Sequence, residues 1–250
     1  MQNSRTTNNA QVSIIIPTYN ESKNIIQILK SIGDYLPKNL LAEAIVVDDN
    51  SPDGTGKIVE SYLNEMKQKV GYTIDIIHRK AKNGLSSAIL NGIQHSSGET
   101  IVVMDSDFSH PPKIIPRLIE EIKKSRCDIA IASRYMTGGS IKGWTSKRKL
   151  LSKTATKIAK TGLGVNQSDP MSGFFAFRRK IIDGLKFDAI GYKANRVSCL
   201  TIFCFAAIPV QFPYGSCIIY HCRRIQFTRS MYSICKRVRN FFYFYTLCLH

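Results

Sequence analysis

The sequence predicts an α/β protein built on a largely parallel central sheet with helices on both faces. Three observations lead there. Short Val- and Ile-rich runs alternate along the chain with longer segments whose apolar residues recur every three to four positions, as strands and amphipathic helices do. The runs are apolar throughout rather than alternately polar, which suits strands covered on both faces. Several stop abruptly at acidic or turn-forming residues, where an open α/β sheet delivers side chains to the carboxyl ends of its strands.

The elements follow in order. Residues 1–11 are polar and read as a mobile leader. Val12-Ser13-Ile14-Ile15-Ile16 is the first strand, ended by Pro17, and Thr18-Tyr19-Asn20-Glu21 leads into a helix from about Glu21 to Tyr35 with Ile25, Ile28, Leu29 and Ile32 on one face. Ala44-Ile45-Val46-Val47 is the second strand. It stops at Asp48-Asp49, before the turn Asn50-Ser51-Pro52-Asp53-Gly54. An acidic residue in that position can accept hydrogen bonds from a ribose or a base, and it is expected beside Tyr19. A helix from Thr55 to about Lys67 returns the chain to a third strand, Thr73 to Ile77, followed by His78-Arg79-Lys80. Asn83-Gly84-Leu85 opens the next helix. Free amides at its N-terminus could receive a diphosphate, though for Gly84 alone turn geometry is the better reading.

The fourth strand, Ile101-Val102-Val103-Met104, runs straight into Asp105-Ser106-Asp107. Two carboxylates one residue apart at a strand end suit Mg²⁺ or Mn²⁺ held together with substrate phosphates. Asp-Ser-Asp is also ordinary turn chemistry. His110-Pro111-Pro112 starts a helix to about Lys124, with Pro where a missing amide costs nothing, and Asp128 to Ala132 forms a fifth strand. Beyond it lie the Gly-rich segment Thr137 to Trp144, a basic helix from Lys147-Arg148-Lys149 to about Lys160, and the turn Ser168-Asp169-Pro170-Met171-Ser172-Gly173 before an apolar strand. A Gly-rich loop, a basic helix start and an aromatic together suit a lipid phosphate at a membrane surface. No Gly-x-Gly-x-x-Gly follows the first strand and no P-loop Gly-Lys-Ser/Thr occurs, so neither dinucleotide nor P-loop chemistry has its fingerprint.

The net charge of +17 calls for a polyanionic partner. With no basic run interleaved with aromatics in the first 190 residues and no zinc-finger or RNP-type signature, nucleic acid falls behind an anionic membrane or a phosphorylated substrate. The charge is also uneven. Every Asp and Glu lies at or before Asp188 and eight Lys or Arg follow it, so 27 basic residues face 18 acidic ones in the first 188 positions while the remainder carries +8. Six of the seven Cys fall after residue 190, without paired Cys-x-x-Cys spacing. With no signal peptide in view, reduced thiols in a cytosolic setting are expected. The division is therefore a leader over 1–11, a main domain over 12–190, and an atypical basic tail over 191–250.

Taken together, the motifs identify a resemblance to glycosyltransferase family 2, with the GT-A type nucleotide-diphospho-sugar transferase fold, and within it to the dolichyl-phosphate (polyprenyl-phosphate) mannosyltransferases. They are Ile16-Pro17-Thr18-Tyr19-Asn20-Glu21, Val47-Asp48-Asp49-Asn50-Ser51-Pro52-Asp53-Gly54-Thr55, Met104-Asp105-Ser106-Asp107-Phe108-Ser109-His110-Pro111, Ala132-Ser133-Arg134-Tyr135, Gly139 to Trp144 and Asp169 to Phe174, in the family's order. The resemblance implies that Pro17, Tyr19, Glu21, Val47 and Asp49 surround the nucleotide, with Asp105, Ser106 and Asp107 at the diphosphate. It makes Asp107 the principal ligand of Mg²⁺ or Mn²⁺, beside Asp105 and Ser109; relatives often place Gln where Ser109 stands. Asp107, Arg134 and Arg148 are the implied catalytic residues, the two arginines near the phosphates of donor and acceptor. The implied reaction moves mannose from GDP-mannose to dolichyl or another polyprenyl phosphate, with inversion, on the cytoplasmic face of a membrane to which the protein binds peripherally.

A UDP-sugar donor fits the same acidic motifs. A nucleotide-binding pseudoenzyme fits a second feature: from Ala194 the family's basic closing segment is not found. The acid-free tail reads either as a shifted reading frame or as a membrane-associated segment, since Val197 to Cys222 holds no Lys, Arg, Asp or Glu. Pro209, Gln211, Pro213 and Gly215 argue against a regular spanning helix there. Residues from about Ala194 onward are expected to be poorly ordered or loosely packed, because they lack the pattern of a packed α/β segment.

Overall fold

In the computed structural model, the structure describes residues 10–65, 72–108, 111–124, 128–133 and 172–182, together with the backbone of two short strands at 208–209 and 218–221. The chain divides into two compact units, one of residues 1–120 and 176–180, the other of residues 121–175 and 181–250.

The first unit is a run of β/α elements: β1 (Val12–Thr18), α1 (Ile25–Tyr35), β2 (Ala42–Asp48), α2 (Thr55–Glu65), β3 (Thr73–His78), α3 (Leu85–His95), β4 (Thr100–Val103) and most of α4 (Ile115–Lys123). The last three residues of β6 (Phe175–Arg178) complete it. Its strands lie in the order β3-β2-β1-β4-β6, with β1 parallel to both β2 and β4 and β2 parallel to β3. The chain thus moves outward from β1 to β3, then returns across β1 to place β4 on the other side. Right-handed crossovers put α1 and α2 on one face and α3 on the other. The point where the order reverses, between the carboxyl ends of β1 and β4, is where such sheets open a crevice.

Packing explains the local choices. β1 is buried along its whole length, and β2 nearly so, as their unbroken apolar runs predict. Ile25, Ile28, Leu29 and Ile32 form the buried stripe of α1. On the opposite face α3 approaches closely because it offers small residues: a Cβ added to Gly92 would stand 2.5 Å from Ile15 Cγ2 and 3.0 Å from Val47 Cγ2. Tyr72 donates its phenol to the Leu29 carbonyl at 2.6 Å, and burial pushes that phenol well above its ordinary pKa.

Boundaries shift where hydrogen bonding overrides pattern. β1 continues through Pro17 to Thr18, because pairing with β2 persists as far as Thr18 and Asp48. α1 begins at Ile25 rather than Glu21, the residues between forming a turn in which the Asn24 amide donates to the Glu21 carbonyl at 3.0 Å. The helix expected from His110 is a 3-10 turn over Pro112–Ile114 followed by α4.

In the second unit β5 (Ile129–Ser133) pairs antiparallel with β8 (Ile218–His221), which pairs antiparallel with β7 (Ile208–Pro209). Ser172 donates its hydroxyl to the Ala132 carbonyl at 2.6 Å, tying the start of the strand at Phe174 to β5. Within the tail, whose pattern predicts loose packing, two short stretches are strands. In β8, Ile218 and Ile219 pair with β5, and Tyr220 and His221 pair with β7. No helix of the described residues is long and apolar enough to cross a membrane.

Candidate active site at the carboxyl edge of the sheet

The loops after β1, β2, β3 and β4 are tied to one another before any ligand arrives. Three successive amides after β1 are spoken for: Asn20 donates to Ser51 Oγ at 3.0 Å, Glu21 to Thr55 Oγ1 at 2.9 Å and Ser22 to Asp53 Oδ2 at 3.0 Å. Asp53 in turn accepts from the Thr55 amide at 3.0 Å and its hydroxyl at 2.6 Å. What desolvation there is at Asp53 opposes its charge, but the hydrogen bonds from Thr55 and Ser22 win and hold its carboxyl at about 2. Asn20 and Asn50 adopt positive φ values of 61° and 59°, a backbone state that Asn tolerates better than most residues. The loop after β4 is anchored to β1 by the Met104 amide on the Ile15 carbonyl at 3.2 Å and by Ser106 Oγ on the Pro17 carbonyl at 3.3 Å.

The acidic residues after β2 are built into this scaffold. Asp48 accepts the Ser51 hydroxyl at 2.5 Å, the Ser51 amide at 3.1 Å and the Thr18 hydroxyl at 3.3 Å. Asp49 pairs with Arg79 at 2.6 Å and accepts the amides of Asn83 at 3.2 Å and Gly84 at 3.0 Å. Both are only 4% exposed. The Asp49 carboxylate therefore sits just before α3, on the Asn83 and Gly84 amides that lead into its first turn. The dipole and the unpaired amides there attract a carboxylate already supplied by β2. The Asp49 carboxylate thereby holds the 79–84 loop through Arg79, Asn83 and Gly84. Gly84, at φ 90°, allows the backbone to turn its amide onto that carboxylate.

The acidic residues after β4 differ. Asp105 is half-buried and Asp107 exposed, with Ser106 buried between them. Across the crevice, burial pushes the Glu21 carboxyl above its ordinary pKa, and the negative charges of Asp107 and Asp53 push it further, while its hydrogen bond from Asn24 works the other way. Glu21 and Asp107 thus feel each other across the β1/β4 switch point, in a field that favours a cation. Tyr19, 37% exposed, stands at the end of β1 with the Lys82 ammonium 3.4 Å from its ring centroid.

Of the residues expected at a nucleotide, Tyr19, Glu21, Asp105, Ser106 and Asp107 come together at this edge. Pro17 and Val47 are buried; the Val47 side chain packs toward Gly92 of α3, so only its backbone can face a ligand. Ser109, Arg134 and Arg148 lie outside the described residues. Sequence reasoning passed over Arg79, Lys82 and the Ser51–Asp53–Thr55 staple, for which a basic run after β3 and a Ser-Pro-Asp-Gly-Thr turn were the available signals.

Among the described residues no group of three or more His, Cys, Asp or Glu could hold a metal ion unaided. Two carboxylates with a third nearby, all hard oxygen donors, still fit a divalent cation whose remaining ligands come from phosphates and water. A nearly all-parallel β/α sheet with this acidic edge has the GT-A fold of nucleotide-sugar glycosyltransferases. The chain belongs to glycosyl transferase family 2, whose sequence pattern matches residues 13–185.

Individual relatives sharpen that placement. The chain is 43% identical over 185 residues to dolichol-phosphate mannosyltransferase of Pyrococcus furiosus, across 73% of this chain and 50% of that protein. To the polyprenol monophosphomannose synthase of Mycolicibacterium smegmatis it is 34% identical over 183 residues, across 72% and 66%. The chain thus spans between half and two thirds of the length of these curated relatives. The mannosyltransferase PcManGT from Pyrobaculum calidifontis, solved with GDP-Man and Mn²⁺, is similar in fold at a TM-score of 0.50 and 20% identity, across 72% of this chain and 48% of that one.

Proposed function

We propose that the protein transfers mannose from GDP-mannose to a polyprenyl phosphate such as dolichyl phosphate, inverting the anomeric carbon, at the cytoplasmic surface of a membrane. The observation that carries the reading is the meeting of Tyr19 and Glu21 with Asp105, Ser106 and Asp107 at the β1/β4 switch point. Two relatives named for lipid-phosphate mannose synthesis and a similar fold solved with GDP-Man and Mn²⁺ support the choice of substrates.

The acceptor needs little activation. A phosphomonoester has a second pKa of about 6 and is largely dianionic at neutral pH, so no general base is required. The protein has to align the two substrates and offset their charge. Asp105 and Asp107, with Ser109, would hold a Mg²⁺ or Mn²⁺ ion, which supplies Lewis-acid stabilisation of the departing diphosphate. Glu21 and Tyr19, fixed by the staple to the loop after β2, shape the nucleoside side of the crevice, and Asp49 keeps the 79–84 loop in place beside them. Arg134 and Arg148 are assigned to the phosphates of donor and acceptor, where a guanidinium can make paired hydrogen bonds.

The test is transfer of labelled mannose from GDP-mannose to dolichyl phosphate in detergent, with UDP-glucose as the competing donor. Lipid-linked mannose in the presence of Mn²⁺ or Mg²⁺ supports the reading. Transfer from UDP-glucose alone would move the assignment to a UDP-sugar enzyme, and nucleotide binding without any transfer would make the protein a pseudoenzyme.

A further inference from the structure

Lys82 belongs to the loop after β3 that Asp49 anchors, and nothing in the proposed reaction yet uses it. Its neighbour Arg79 is neutralised by Asp49 in a buried pair, and His78 sits on Glu60 at 2.9 Å. Lys82 has no carboxylate partner among the described residues; its ammonium rests instead over the Tyr19 ring, 3.4 Å from the centroid. The side chain is exposed, while the backbone one and two residues on is held by the Asp49 carboxylate through the Asn83 and Gly84 amides. A flexible charged stem on a fixed base can therefore reposition without moving the loop. The contact spans from the β3 loop to the end of β1, over the buried end of β2.

A nucleoside diphosphate sugar carries about two negative charges and leaves as a diphosphate with about three at neutral pH. A divalent cation offsets two of them. One further positive charge from the protein would complete the balance, and a lysine serves phosphate well as a point charge. An exposed cation–π contact is weak beside a charge-assisted hydrogen bond to phosphate, so passage of the ammonium from ring to diphosphate is favourable. It also uncovers a face of Tyr19 for the base.

We propose that Lys82 neutralises the donor's diphosphate and waits over Tyr19 until a nucleoside diphosphate binds. This rests on the nucleotide reading of the same crevice and adds to it a positioning cation. The test uses the full chain with Lys82→Met, which keeps the stem and removes the charge, and Lys82→Arg, which restores it. GDP, UDP, guanosine and uridine are titrated calorimetrically into each protein in Mg²⁺ buffer. Lys82→Met should weaken the diphosphate that the wild type binds by about tenfold, the scale of one hydrogen bond to a charged group, and leave the matching nucleoside unchanged or tighter. Lys82→Arg should recover most of the loss. A diphosphate loss under about threefold, or an equal loss for diphosphate and nucleoside, overturns the assignment of Lys82 alone. Failure of the wild type to bind either GDP or UDP overturns the nucleotide reading and this proposal together.

Discussion

Two acidic pairs close two parallel strands of the same sheet, and they have opposite fates. Asp48 and Asp49, at the end of β2, are buried and spend their oxygens on Ser51, Thr18, Arg79 and the Asn83 and Gly84 amides just before α3. Asp105 and Asp107, after β4, are half-buried and exposed, beside the switch point and within the electrostatic reach of Glu21. The difference follows from topology. β2 lies between β1 and β3, so its end is roofed by the loops of both neighbours, whereas β4 lies where the chain reverses and its end opens on a crevice. The first pair holds the scaffold, and the second is the pair proposed above to meet the ligand.

The largest effect expected from breaking this contrast is at Asp49. Asp49→Ala should cost about 3 kcal/mol or more in a denaturant titration, because it strands the largely buried Arg79 guanidinium without its counter-charge. Adding Arg79→Leu should recover part of that loss, and a double-mutant cycle measures how much. Simple additivity would mean that the pair does not act as a unit.

Asp107→Asn should leave stability within about 0.5 kcal/mol of wild type, as an exposed substitution does. The proposed mannosyl transfer should fall on the order of a hundredfold as a charge-stabilising element is lost. The comparison to make is rate against unfolding free energy on the same preparation; a destabilised but fully active variant would reverse the roles of the two pairs.

Gly84→Ala probes the link between them. A Cβ there meets open space, so any cost comes from the backbone, at φ 90° and ψ 163° in a region almost reserved for Gly, at about 1–3 kcal/mol, and should appear as destabilisation without a steric clash. Gly92→Ala, by contrast, should act through overpacking against Ile15.

The smallest effect is a pH dependence. The folded-state pKa of Asp53, about 2, lies below the unfolded value of roughly 3.9. The folded protein therefore binds fewer protons there, and stability rises with pH. That contribution is present above pH 4 and is lost as pH falls through 2. Asp53→Ala should flatten this part of the acid-stability curve relative to wild type.

Much of the fold was legible because burial leaves a pattern. Five apolar runs marked β1 to β5, and the spacing of Ile25, Ile28, Leu29 and Ile32 gave the buried face of α1. Edges were less legible, since Thr18 is strand only through its pairing with Asp48, and β8 is a four-residue segment that becomes a strand by meeting β5. Of the candidate site, the residue types could be read but not their allegiance. Asp49 and Asp107 look alike in sequence, and only the convergence of Arg79, Asn83 and Gly84 on Asp49 shows that its charge is used internally. The Lys82–Tyr19 contact joins residues 63 positions apart and leaves no periodic trace.

The measurement that separates the two pairs most directly is thermal unfolding of wild type, Asp49→Ala and Asp107→Asn side by side, with and without Mn²⁺ and GDP. Asp49→Ala should melt several degrees lower than wild type before any ligand is added, at roughly 2–4 °C per kcal/mol for a chain of this size. Asp107→Asn should melt with wild type in the absence of ligand and fail to gain the stabilisation expected of Mn²⁺ and GDP on the wild type. An Asp107→Asn protein stabilised by Mn²⁺ and GDP as strongly as wild type, or an Asp49→Ala protein melting at the wild-type temperature, would contradict the division between a scaffold pair and a ligand pair.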